Sequence, residues 1–286
     1  MAIQPVSLGG AITGISRVIY PSFDIGHCRD LCTSFFGWGA LGVACTEGRV
    51  CVPINSRQSV EFVSAEAFPE LRMGFVLEVE EPSAPEALLL AKGFVASQEE
   101  RLFGERITSC FHSLGEGVVF AFAKPQSLTP SASGQTSIST DLGHVGFQTS
   151  DYRLAYSIFV DTLGFREVWR GGADPDKVEW VRLQLPEGGQ MLELMLYEEE
   201  PSKEQVGFMN HFCVDVLDLF KVQEQLDQRN YPTECRPATP LRVGRNRRRQ
   251  INYFAIDGTR IEVMEDHTFD GSIAPSSTGQ LMQMAW

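Results

Sequence analysis

The chain has no apolar run approaching the about 18–20 residues that a membrane-spanning helix needs. Positive charge is scarce: 24 Lys and Arg stand against 37 Asp and Glu, a formal net charge of −13. That balance excludes a general nucleic-acid binder, which carries a basic face. Met1 to Thr13 lack a basic start and a long apolar core, so no secretory signal is expected there. The seven cysteines (Cys28, Cys32, Cys45, Cys51, Cys110, Cys213 and Cys235) make neither a zinc ribbon nor a CxxC pair. With no leader expected, they read as reduced, mostly buried thiols, and the protein as cytoplasmic.

What is present is the composition of a soluble globular protein, 43% hydrophobic and 21% charged. A length of 286 residues accommodates two domains. Internal repetition is visible. Ile15–Asp24 lines up with Leu142–Asp151, and each is followed by a helical pattern that ends at a glycine, Gly37 or Gly164. Leu31, Phe35 and Phe36 face one way in the first copy; Leu154, Ile158, Phe159 and Leu163 do so in the second. Alternating strands then close on Ser59–Val63 and Met191–Met195. The pattern restarts at Met73–Val79 and at Asn210–Val216, with helices expected near Ala84–Lys92 and Leu217–Arg229. The chain therefore reads as α+β, four β-α-β-β-β modules paired into two halves. The expected organisation is an N-terminal half over 12–124, a Ser/Thr/Gly/Pro-rich linker over 125–140, a C-terminal half over 141–267 and a flexible tail over 268–286.

Four polar residues interrupt apolar strand stretches in the second half: His144, Glu193, His211 and Glu262. They are separated by 49, 18 and 51 residues, so each module of that half supplies one imidazole and one carboxylate. A polar side chain facing inward on an apolar strand costs free energy unless it is paired or metal-bound. Two imidazoles and two carboxylates make a nearly complete shell for one divalent ion, with Zn, Ni, Co, Mn and Fe(II) all compatible. The aligned positions of the first half are Arg17, Glu61, Gly74 and Ala121. Only the glutamate survives, so that half is expected to hold no metal.

Paired modules with this His, Glu, His, Glu set resemble the vicinal oxygen chelate superfamily. It includes glyoxalase I, methylmalonyl-CoA epimerase, extradiol dioxygenases and fosfomycin-resistance enzymes. The resemblance spans roughly Ile12 to Asp266. Its sharpest pieces are His144 to Arg166, the Asn210-His211 strand and Asp257 to Glu262. It implies that paired modules curve into an open barrel with the metal in its mouth. It also implies a small-molecule substrate, and a homodimer is common among such proteins. Glu193 separates the chemistries. Glyoxalase I carries a glutamate at that position, whereas extradiol enzymes usually do not. The expected function is therefore proton transfer on a small carbonyl or enolisable substrate, of isomerase or lyase type, with Glu193 or Glu262 as the base. The alternatives are an Fe(II) ring-cleaving dioxygenase using His144, His211 and Glu262, a natural-product biosynthetic enzyme, and a non-catalytic ligand-binding or resistance protein.

Two further sites are candidates. Tyr253 lies one residue from where extradiol enzymes carry a catalytic tyrosine. The one basic cluster, Arg245 to Arg249, reads either as a solvated strand edge or as a substrate anion site. In the second reading Arg247 and Arg249 share a strand face and bind substrate. Trp169, Trp180, Phe147, Phe208 and Tyr253 are candidate pocket walls or core.

Overall fold

The computed structural model describes residues 12–97, 110–113, 117–128, 136–139, 141–197 and 209–282. Residues 129–135 of the expected linker and Phe208 lie outside them. Two eight-stranded sheets dominate, with few helices, as the α+β expectation requires.

In the first sheet the strands are β1 (Gly14–Ser22), β2 (Ala44–Thr46), β3 (Arg49–Pro53), β4 (Ser59–Ser64), β5 (Met73–Glu78), β6 (Ala96–Ser97), β7 (Cys110–Ser113) and β8 (Val118–Ala123). In the second they are β9 (Asp141–Thr149), β10 (Arg166–Gly171), β12 (Trp180–Gln184), β13 (Met191–Leu196), β14 (His211–Val216), β15 (Arg242–Val243), β16 (Arg249–Phe254) and β17 (Arg260–Glu265). The spatial orders, β2-β3-β4-β1-β5-β8-β7-β6 and β10-β12-β13-β9-β14-β17-β16-β15, are the same pattern twice. Each module pairs its first strand parallel to its last, β1 with β4 and β5 with β8, then β9 with β13 and β14 with β17. Parallel pairing needs a long crossover, which here includes a helix. Two modules join through their first strands, antiparallel, as β1–β5 and β9–β14.

The crossover helices begin and end alike. Asp24 caps α1 (Ile25–Asp30) by accepting from the His27 amide at 2.9 Å, and Asp151 caps α3 (Tyr152–Tyr156) by accepting from the Leu154 amide at 2.9 Å. Each runs on into a π-helical turn, Leu31–Phe35 or Ser157–Thr162, and the chain then turns at Gly37 (φ 75°) or Gly164 (φ 77°). Among the described residues the remaining helices are α2 (Ser83–Ala91) and α4 (Leu219–Asp227).

One apolar core runs through both halves. Phe75 stacks on Phe147 at 5.8 Å, Phe120 meets Phe159 at 5.4 Å, and Tyr20 meets Phe212 at 5.9 Å. Two glutamines at equivalent places cross between the halves. Gln58 accepts from the Leu142 amide at 3.0 Å and donates to the Ile15 carbonyl at 3.1 Å. Gln190 accepts from the Ile15 amide at 2.7 Å and donates to the Leu142 carbonyl at 2.5 Å. The C-terminal segment, expected as a flexible tail, lies along the second half. Its strand β18 (Gln280–Leu281) pairs with β11 (Lys177–Val178), and the Pro275 carbonyl accepts from Trp169 Nε1 at 3.0 Å.

Candidate metal centre

Four central strands of the second sheet bring His144, Glu193, His211 and Glu262 together. His144 comes from β9, Glu193 from β13, His211 from β14 and Glu262 from β17. All four are buried, His144 and His211 completely. The two Nε2 atoms are 3.1 Å apart. Glu193 Oε2 lies 3.9 Å from His144 Nε2 and 3.5 Å from His211 Nε2. Glu262 Oε2 lies 3.3 and 3.8 Å from the same atoms. Two imidazole nitrogens and two carboxylate oxygens at this separation suit one divalent ion of borderline hardness. Cys213 is also within ligand reach of His144 and Glu262. Burial first, then the Glu262 charge, push its thiol well above the ordinary range, so it stands as a neutral S–H.

Register explains the convergence. In the β9–β14 pair, His211 faces Gly146 and Cys213 faces His144. A Cβ on Gly146 would lie 2.0 Å from His211 Cε1, so the imidazole lies flat across β9 only because residue 146 lacks a side chain. Gly143 is the residue skipped by the bulge in that pair, and its missing Cβ leaves room for the Asp215 carboxylate.

Partners outside the four-residue set orient it. Arg182 Nε donates to Glu193 Oε1 at 2.8 Å, and its guanidinium lies 5.8 Å from the Trp169 ring centre. Gln250 Nε2 donates to Glu262 Oε1 at 2.9 Å. His211 Nδ1 lies 3.0 Å from the Met209 carbonyl and 2.5 Å from Arg260 Nη2. The Met209 carbonyl favours the tautomer with the proton on Nδ1, which leaves the Nε2 lone pair that a ligand needs, while the Arg260 guanidinium, itself a donor, competes for the same nitrogen. Burial first and Arg260 second bring His211 down to about 3, so it is neutral near pH 7. Burial works to raise Glu193, but Arg182 foremost, then the two histidines, outweigh it and bring it to about 2. Burial is likewise outweighed at Glu262, where the His144 hydrogen bond leads the opposing causes and holds the carboxyl below its ordinary range.

The site opens into a cavity of about 480 Å³ lined by Trp169, Trp180, Arg182, Met209, Gln250 and Arg260, among others. Trp169 and Trp180 thus lie where the pocket reading put them, whereas Phe147 packs into the shared core. Tyr253 is not brought to the site. It is adjacent in β16 to Asn252, which faces Glu262, so its own ring points to the opposite side and packs on Phe35 at 5.2 Å and Phe36 at 5.5 Å. Arg247 and Arg249 are not brought there either. Arg247 sits in the turn before β16 at φ 61°, not on a strand, and pairs with Asp270. Arg249 pairs with Glu265 at 2.9 Å and stacks over Phe220 at 5.0 Å. Sequence reading missed Arg182, Gln250 and Arg260. A basic residue within an otherwise apolar strand, as Arg182 is in Val181-Arg182-Leu183, was the available signal.

The first half shows how the set is lost. Its register places Arg17 at the His144 position, Ile19 at Gly146, Gly74 at His211 and Ala121 at Glu262. Glu61 survives and pairs with Arg17 at 3.1 Å and Arg49 at 2.7 Å. Guanidinium groups thus supply the positive charge, and Ile19, Val76, Val119 and Ala121 fill the surrounding space.

The comparisons fit this architecture. Residues 141–263 match the family model of the Glyoxalase/Bleomycin resistance protein/Dioxygenase superfamily. No curated protein matches the sequence. Among solved structures, the E323L mutant of homoprotocatechuate 2,3-dioxygenase from Brevibacterium fuscum aligns with a TM-score of 0.65 at 12% identity, covering 99% of this chain and 79% of that one. The Mn(II)-bound glyoxalase from Novosphingobium aromaticivorans aligns with a TM-score of 0.64 at 14% identity, covering 96% and 89%. A catechol 2,3-dioxygenase aligns with a TM-score of 0.62 at 12% identity, covering 96% and 92%. At such identities the likeness to solved structures shows the fold. With the match over 141–263, it bears out the resemblance to the vicinal oxygen chelate superfamily. The solved proteins that share this fold include dioxygenases and a Mn(II)-bound glyoxalase.

Proposed function

We propose that the chain is a divalent-metal enzyme that moves a proton on a small carbonyl or enolisable substrate. The observation that carries this reading is the meeting of His144, His211, Glu193 and Glu262, the fourth carboxylate included, with Oε2 of each glutamate 3.3–3.9 Å from the histidine nitrogens. A bound divalent ion would supply Lewis-acid stabilisation of two adjacent substrate oxygens. Everything else falls to the protein. Arg182 anchors Glu193 through a charged bond, which weakens it as a base. Glu262, though also held below its ordinary range, is anchored by the neutral Gln250 amide, and on that difference of partner rather than on basicity it is assigned the proton. Trp169 and Trp180 exclude water from one wall of the cavity.

Ring cleavage with oxygen is the second reading, favoured by the dioxygenases that share the fold. The orientation of Tyr253 away from the cavity weighs against it. Metal analysis of protein purified without added metal tests both. About one divalent ion per chain is expected, lost in His211→Ala. Substrate C–H exchange into deuterated water with oxygen excluded supports proton transfer. Oxygen uptake with catechols and bound iron would replace it with the second reading. A chain that takes up no metal would end both.

A further inference from the structure

The cavity over the candidate centre is basic in an acidic protein. Against a net charge of −13, four arginines line it: Arg182, Arg242, Arg245 and Arg260. Among the described residues the only carboxylates lining it are Glu193 and Glu262, both in the proposed ligand set. Two arginines are committed inside. Arg182 holds Glu193 at 2.8 Å, and Arg260 lies 2.5 Å from His211 Nδ1. The other two are differently placed. Arg242, on β15, makes no ion pair among the described residues and is exposed. Arg245 reaches across to a neutral acceptor, the Ala173 carbonyl, and is also exposed. The same cavity has aromatic walls, Trp169 and Trp180.

Edge charges that merely keep strands apart need not line the cavity that leads to the candidate centre. Charge at the mouth of a low-dielectric cleft focuses an opposite charge into it, and paired guanidiniums suit a compact oxyanion. We propose that the substrate has two adjacent oxygens at one end, a flat apolar body, and a carboxylate or phosphonate-like oxyanion at the other end that Arg242 and Arg245 bind. This rests on the metal reading of the same site for the first end only; the aromatic walls and the two arginines stand apart from it.

The test is isothermal titration of the Zn(II)-loaded full chain, without oxygen, with three probes: 3,4-dihydroxybenzoate, 3,4-dihydroxyphenylphosphonate and neutral methyl 3,4-dihydroxybenzoate. At least one anion is expected to bind about tenfold more tightly than the ester, as a charge-assisted hydrogen bond gives. Which anion wins identifies the oxyanion. The preference should shrink with salt and vanish in the double variant Arg242→Gln, Arg245→Gln, while ester affinity and zinc content stay unchanged. Equal binding of ester and anions, or an anion preference that survives the double variant, overturns the proposal. Zinc content is measured on every sample, so a failed metal reading shows itself separately. In metal-free protein, naphthalene-2-carboxylate against 2-naphthamide tests the same two arginines: the carboxylate preference must appear and be lost in the double variant, or the proposal falls.

Discussion

Glu193 and Glu262 share one cluster but not one environment. Glu193 shares an oxygen with a buried guanidinium, and Glu262 shares one with an amide. If Glu262 carries the proton, Glu262→Gln should lower kcat for deuterium exchange by about a hundredfold or more, as loss of a general base does. Glu193→Gln should act mainly on metal affinity, because it leaves Arg182 buried without its carboxylate. Equal losses of exchange rate at full metal loading would refute the division. The histidine gives a prediction in acid. His211 is held at about 3 when folded, against about 6.5 for a free imidazole. Between these values the unfolded chain binds the extra proton, so stability is lost as pH falls from about 6.5. Glu193, near 2 when folded, adds a loss in the same direction below its ordinary value of 4.5. Urea midpoints of the metal-free protein should therefore be lower at pH 5 than at pH 7.5, with a flatter profile in His211→Gln. A midpoint that rises on acidification would contradict the assignment.

At the scale of strands, the ligand set was legible because four polar residues broke apolar runs at repeated module positions. Register then carried His144 and Cys213, or Cys213 and Glu262, to opposite places. What was not legible was direction. Tyr253 and Asn252 are neighbours in sequence, yet the pleat sends them to opposite faces, and a one-residue displacement decides which one meets the site. The arginine-rich segment misled for a similar reason: the chain turns at Arg247 before β16 begins, so strand alternation does not apply there. Gly146 supplies the test at this scale. Gly146→Ala should push the His211 ring off β9 and weaken metal binding by about tenfold or more, a loss comparable to that of an orienting partner. Circular dichroism should stay native-like. Unchanged metal affinity in that variant would show that the ring is free to shift.

Across the molecule, the two halves share a core rather than a seam. Phe75 of the first half stacks on Phe147 of the second, and Phe35 packs on Tyr253. Unfolding should therefore be a single transition, with far-ultraviolet circular dichroism and tryptophan fluorescence changing together. Phe75→Ala should cost about 3–5 kcal/mol and lower both signals at once. Two separated transitions would mean that the halves fold independently. The repeat that announced two halves could not reveal this, since aromatic residues on strands read equally as the core of either half.

Gln58 and Gln190 each grip both Ile15 and Leu142, giving and taking the same pair of bonds from opposite sides. Interchanging the halves would carry one glutamine onto the other. This exchange of bonds thus has the form of a contact between two identical subunits, now written into a single polypeptide. Such a contact does not depend on the covalent thread that joins its sides. Expressed as separate pieces, the halves would still have every bond of that four-way clasp available to find one another.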